Sequence, residues 1–178
     1  MLRLSLLRHA KSSWDEPDLG DHERQLTKRG TKAACRIARY IADNDLRPDL
    51  ILCSDAIRTL ATLTLLRPAL GQPAPRTVIT AGLYLANPSQ IMSVMSLETG
   101  KAPPGSAPHV MVIGHNPGLH ALALSLSGGG SKRDLSELAM KYPTAALAHF
   151  ILDIDDWSDL ETATGALDRF ITPRSLSG

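Results

Sequence analysis

The chain has 178 residues, enough for one domain with a real hydrophobic core. Its 43% apolar and 21% charged residues are those of a folded protein, and a net charge of +1 offers little to a nucleic acid or an anionic membrane. No apolar run approaches a membrane span, no leader pattern precedes the first strand, and Cys35 and Cys53 have neither metal-site nor redox-motif spacing, so we expect a cytoplasmic single domain over 1–178 that needs neither disulfide nor structural zinc.

In chain order, "LRLSLL" at 2–7 alternates as a first strand and ends on Arg8-His9. The polar stretch "KSSWDEPDLGDHERQL" at 11–26 has neither period and reads as a long loop, a length usually functional or disordered. A helix follows from Thr27 to Asp45, with Gly30 three residues after its first residue, then a strand at 46–53. A helix from Asp55 to Leu70 is closed by Gly71, and 76–83 reads as a third strand. "SQIMSVMSLE" is helical, "GKAPPGSAP" is a loop, and "HVMVIG" at 109–114 is a strand apolar on both faces. Residues 117–126 form a helix entered through Asn116 and Pro117, both favoured at helix starts, and "SGGGSKRD" reads as a flexible loop. "TAALAHFILDI" and "ALDRFITP" read as late strands added at a sheet edge. No internal repeat is visible. Alternating strands and helices predict a three-layer α/β fold, its sheet mostly parallel with helices on both faces.

In such sheets ligands gather at the carboxyl ends of strands, where Arg8-His9, Cys53-Ser54 and Gly114-His115 all fall. Arg58 lies one helical turn past Ser54, and Thr62 a turn further. Two arginines, two histidines and helix N-termini suit a phosphate, because arginine forks neutralise phosphoryl oxygens and a neutral imidazole can attack phosphorus. Each residue also has an ordinary reading: Arg58 as a solvated helix residue, Ser54 and Asn116 as caps, the loop acids as solvated charges, and His22, His120 and His149 as structural or exposed. On spacing alone the two readings stand level. No H-x-x-x-H, H-x-H or His-Asp cluster supports a metal site.

"LLRHAKSSW", "RQLTKRG", "CSDAIRTLAT" and "VIGHNPGL", in that order, resemble the histidine phosphatase superfamily, the phosphoglycerate mutase-like group, and within it the small SixA-type phosphohistidine phosphatases. The resemblance implies a phosphoglycerate mutase-like fold and no cofactor. It makes His9 the nucleophile that becomes phosphorylated, Arg8 and Arg58 the phosphate-binding arginines, and His115 the second histidine that contacts the phosphate. It places Arg24 near the phosphate pocket. Ala10 stands where the family signature has glycine, which matters only if that position needs positive φ. Family members also carry a proton donor either after the third strand, where this chain reads "GLYLANP" with Leu85, or directly after the second histidine, where it has Asn116. A missing acid costs an alkoxide leaving group about 10²–10⁴-fold but not a phosphohistidine, whose imidazole takes its proton from water at a pKa of roughly 6.5.

The sequence therefore leads us to expect a metal-independent phosphatase acting on protein phosphohistidine. The alternatives are a phosphomonoesterase of small metabolites, using Asp15, Glu16 or Asp21 as its acid, and a catalytically weak module that binds phosphoproteins.

Overall fold

The computed structural model describes residues 1–15, 18–103 and 105–176. In chain order its elements are β1 (Leu2–Arg8), α1 (Lys28–Asp43), β2 (Leu50–Ser54), α2 (Ile57–Leu66), β3 (Arg76–Thr80), α3 (Pro88–Thr99), β4 (His109–Gly114), α4 (Gly118–Leu126), β5 (Ser127–Gly130), α5 (Lys132–Met140), β6 (Leu147–Leu152) and β7 (Gly165–Ile171). The strands form one sheet in the order β3-β2-β4-β1-β6-β7-β5.

The central strands explain the layering. Leu4 and Leu6 of β1, Leu50 and Leu52 of β2, and Val110 and Val112 of β4 enter one apolar cluster, shared with Leu119, Leu122 and Leu126 of α4. The alternate residues Leu7, Ile51, Cys53, Met111 and Ile113 enter a second cluster, with Ala34, Ile37, Ala38 and Ile41 of α1. Strands apolar on both faces must be covered on both, and the helical spacing of the α1 residues supplies one cover. The expected three-layer α/β architecture is the one observed.

β1 pairs parallel with β4, and β2 parallel with both β3 and β4. Beyond β1 the sheet turns antiparallel, through β6 and then β7. α1 is capped as its sequence suggests, with the Thr27 hydroxyl accepting from the Gly30 amide at 2.9 Å. Three expectations need correction. The third strand ends at Thr80 and continues as a 3-10 turn over Ala81–Leu83. The helix after His115 starts at Gly118, not at Pro117. The glycine run is no free loop: Ser127–Gly130 is the edge strand β5, parallel to β7, and α5 follows it. A Cβ at Gly130 would lie 2.7 Å from the Leu167 carbonyl oxygen, so the close approach of the two strands requires the glycine that disguises β5 in the sequence.

Candidate active site

β2, β4 and β1 lie side by side, so their carboxyl ends are neighbours. Arg8 is opposite Gly114, and the His9 amide donates to the Gly114 carbonyl at 3.1 Å. This brings Arg8, His9, Ser54 and His115 together, and the first turn of α2 adds Arg58, which is only 2% exposed. α2 is also pinned to the tip of β1, because the Ala10 amide donates to the Thr62 hydroxyl at 3.0 Å. Ala10 does not have positive φ, so alanine in place of the family glycine is accommodated.

His9 is buried with Nδ1 2.7 Å from the Ala10 carbonyl oxygen. A carbonyl only accepts, so Nδ1 carries the proton and Nε2 keeps its lone pair. Burial, with Arg58, Arg8 and Arg24 nearby, holds the imidazole down to about 4 despite the pull of the Ala10 carbonyl. It is neutral at physiological pH, with the Nε2 lone pair uncommitted to a proton.

His115 packs beside it, ring centroids 5.3 Å apart. Arg58 donates to His115 Nδ1 at 3.2 Å; a guanidinium cannot accept, so the proton sits on Nε2 and is donated to the Ser54 hydroxyl at 2.8 Å. Burial, then His9 and Arg58, push His115 down to about 3.

Arg58 also grips the long loop. Its guanidinium donates to the Asp21 carbonyl and, at 2.9 Å, to Asp21 Oδ2. The same Oδ2 accepts from the Tyr84 hydroxyl at 2.7 Å, and Oδ1 accepts from Arg24 at 2.8 Å. Burial would raise the Asp21 carboxyl, but Tyr84, Arg24 and Arg58 together carry it well below the usual carboxylate range. Arg24 further donates to the Ser12 hydroxyl and the Ser13 carbonyl and lies 3.3 Å over the Trp14 ring, stapling the loop onto the site.

Opposite, Arg8 and Asn116 both donate to the Tyr142 carbonyl, at 2.8 and 3.0 Å. Among the described residues, the buried side-chain polar atoms lacking a partner are Arg8 Nε, Arg58 Nε and Asn116 Oδ1. All three belong to this cluster of side chains. Buried donors left unspent are rare, and two on arginines of one cluster suit a multiply charged oxyanion.

The structure thus brings Arg8, His9, Arg58 and His115 into one cluster, with Arg24 held at its edge by the loop. Arg58 is buried rather than solvated, and Asp21 is an ion-paired member of the site rather than a free surface charge. Ser54 faces His115, and Asn116 bonds Tyr142 instead of capping the next helix. Asp15 is exposed away from these contacts, and Glu16 lies outside the described residues. His22 bonds Asp55 at 3.0 Å and packs against Tyr84 on the rim, His120 bonds the Leu138 carbonyl, and His149 is buried against Ser5. Sequence reasoning missed Tyr84 and Tyr142 altogether. A lone Tyr in each loop carried no pattern, although "GLYLANP" held the first in the segment searched for an acid.

Residues 4–83 match the family model described as histidine phosphatase superfamily, branch 1. The chain is 32% identical over 173 residues to an uncharacterised protein of Mycobacterium leprae, covering 94% of this chain and all of that one. It is 35% identical over 138 residues to an uncharacterised chloroplastic protein of Arabidopsis thaliana, covering 73% of this chain and 61% of the relative. Among solved structures it resembles a SixA protein of Agrobacterium tumefaciens, provisionally assigned as a phosphohistidine phosphatase, with TM-score 0.76 and 30% identity over 97% of this chain and 98% of the other. A protein histidine phosphatase SixA bound to tungstate shares the fold, with TM-score 0.76 at 20% identity over 99% of this chain and all of that one.

Proposed function

The chain belongs to the histidine phosphatase superfamily, in its SixA-type branch, and from that premise we propose that it removes phosphate from phosphohistidine on a protein, through a phosphorylated His9. His9 Nε2 attacks phosphorus in line with the departing group, forming one P–N bond as the substrate's P–N bond breaks. The substrate imidazole, already protonated at its other nitrogen, leaves neutral. Water then attacks the phosphorus on His9, releasing inorganic phosphate and returning the imidazole. The Nδ1–H to Ala10 carbonyl bond orients the ring and favours the positive charge that it gains when Nε2 bonds phosphorus. Arg8 and Arg58 carry the unspent donors for the equatorial oxygens, and His115 faces the same group from the β4 end.

The observation that carries the choice of substrate is Asp21. The carboxylate that touches Arg58 is fixed as an anion by three donors, so it has no proton to give an alkoxide. A pocket of this kind suits leaving groups that depart without an acid. Charge neutralisation falls to arginine rather than metal, Arg24 holds Asp21 and adds positive potential, and the chain acts as one unit. Two free thiols, Cys53 buried and raised to about 12 by that burial, suit a reducing compartment such as the cytoplasm.

The test is kcat/KM for phosphohistidine and for phosphate esters of graded leaving-group pKa. We expect phosphohistidine and nitrophenyl phosphate to be cleaved and simple alkyl phosphates to lag by about 10²–10⁴-fold. A flat dependence on leaving group would replace this reading with a phosphomonoesterase of small metabolites.

A further inference from the structure

Two residues past His9, Lys11 leaves the phosphate pocket for another surface. A cleft of about 680 Å³ opens there, lined by Lys11, Arg29, Arg133, Lys141 and Arg174, with Glu137 the acid among its lining residues. Glu137 is already engaged by Arg133 at 3.1 Å. A second concavity shares Arg29 and Arg174 and adds Lys28 and Lys32. Because the whole chain has 19 basic and 18 acidic side chains, this gathering is a local positive field and not a reflection of overall charge. The cleft also has apolar ground in Phe170 and Pro143, and Met140 stands 79% exposed at its wall.

Cleft and phosphate pocket share a boundary. Lys141 and Pro143 flank Tyr142, whose carbonyl holds Arg8. Arg29 precedes Gly30, where a Cβ would lie 2.1 Å from the Lys11 carbonyl oxygen, so the start of α1 is packed directly on the chain leaving His9. The basic wall is therefore built onto the catalytic strand by close backbone packing.

We propose that this cleft docks an acidic segment of the protein that carries the phosphohistidine, an inference that rests on the function proposed above. A small metabolite whose phosphate is already matched by Arg8 and Arg58 leaves these further cations without a role. An extended protein chain advances about 3.3 Å per residue, so acidic side chains a few residues from the phosphohistidine reach across the boundary while the phosphoryl group is held at His9. Cations around an exposed Met and a half-buried Pro form the surface that a protein partner uses, with charge setting encounter rate and register.

The experiment compares two synthetic phosphohistidine peptides of equal length, flanked by glutamates or by lysines, together with free phosphohistidine and nitrophenyl phosphate. The wild type should favour the acidic peptide by roughly 10-fold or more in kcat/KM at low salt, an advantage that fades as salt is raised. The double variant Arg29→Glu/Arg174→Glu, both exposed positions, should lose or invert that preference with nitrophenyl phosphate turnover unchanged. Equal use of both peptides by the wild type, or a preference that survives in the variant, overturns the docking surface while cleavage of free phosphohistidine leaves the substrate class standing. Tripolyphosphate that binds the wild type but not the variant, without any peptide preference, makes the cleft a small-polyanion site and also overturns it. Cleavage of nitrophenyl phosphate but of no phosphohistidine overturns the substrate class, and the docking proposal falls with it.

Discussion

His115 donates to Ser54 at 2.8 Å, and of its two partners only Ser54 can reverse the direction of its hydrogen bond. Arg58, a donor at Nδ1, holds the proton on Nε2. When phosphoryl oxygens draw the Arg58 donors away, His115 can present a proton at Nδ1, because the Ser54 hydroxyl then donates to Nε2. Ser54 lets the histidine change tautomer without losing its anchor.

Ser54→Ala should therefore lower kcat/KM roughly 10- to 100-fold, the range expected when a buried polar group loses its partner. A merely structural role for Ser54 would leave the tautomer at the phosphate untouched. The 15N chemical shifts of the His115 ring with inorganic phosphate bound should report Nδ1–H in the wild type and Nε2–H in the variant, and the same tautomer in both would remove Ser54 from this role.

His9→Ala should reduce turnover to the level of solvent hydrolysis while the protein stays folded, since a strand-tip imidazole contributes little to the core. Rapid quenching of the wild type during nitrophenyl phosphate turnover should trap acid-labile, alkali-stable phosphate on His9. Label on another residue would reassign the nucleophile.

Asp21→Asn keeps the shape of the loop but removes the charge that aligns Arg58 and Arg24. We expect kcat to fall by about 10-fold for good and poor leaving groups alike, as for a misplaced positioning group. If Asp21 were the acid, the loss would concentrate on alkyl esters and reach about 10²–10⁴-fold. The slope of log kcat/KM against leaving-group pKa decides between the two.

Stability should depend on pH through the buried imidazoles of His9 and His115 and through a second buried pair around Ser5. Ser5 Oγ lies 2.8 Å from His109 and 2.9 Å from His149, both buried. Burial and their neighbours hold His109 down to about 3 and His149 to about 4 in the folded chain. In the unfolded chain each titrates near 6.5. Below that value the unfolded state binds protons that the folded state refuses, so stability is full above about pH 6.5 and declines down to about pH 3–4. Urea midpoints across that range should show the decline, with His109→Gln or His149→Gln each removing about one proton from its slope. A midpoint independent of pH would mean that these rings are protonated when folded.

The parts of this molecule legible in its sequence are those governed by short-range pattern. The two-sided apolar alternation of 109–114 and the helical spacing of Ala34, Ile37 and Ile41 describe the sheet and its cover directly. Convergent strand ends single out Arg8, His9 and His115, with Arg58 one helical turn past Ser54, but pattern alone leaves them level with ordinary readings, and the family resemblance supplies their expected roles. In the sequence Asp21 reads only as a solvated charge or a candidate acid, since its ion-paired position depends on Tyr84 and Arg58, 63 and 37 residues away in the chain. β5 was hidden for the opposite reason: glycine's low strand preference is a local signal, and the tight approach of Leu167 that demands glycine is not local.

The Tyr142 carbonyl that holds Arg8 lies 134 residues further along the chain, and β1 is bordered by β4 and β6, both of which follow it in sequence. A chain as far as β4 and His115 already contains all four residues of the proposed phosphate site, yet it has neither the strand that closes the second side of β1 nor the oxygen that orients its arginine. Since domains fold as units, the arrangement around Arg8 waits for residues 142–152, however early its four side chains are made. Substitutions at 141–146 that alter the course of that corner will strike the phosphate pocket from a stretch of sequence that bears no motif at all.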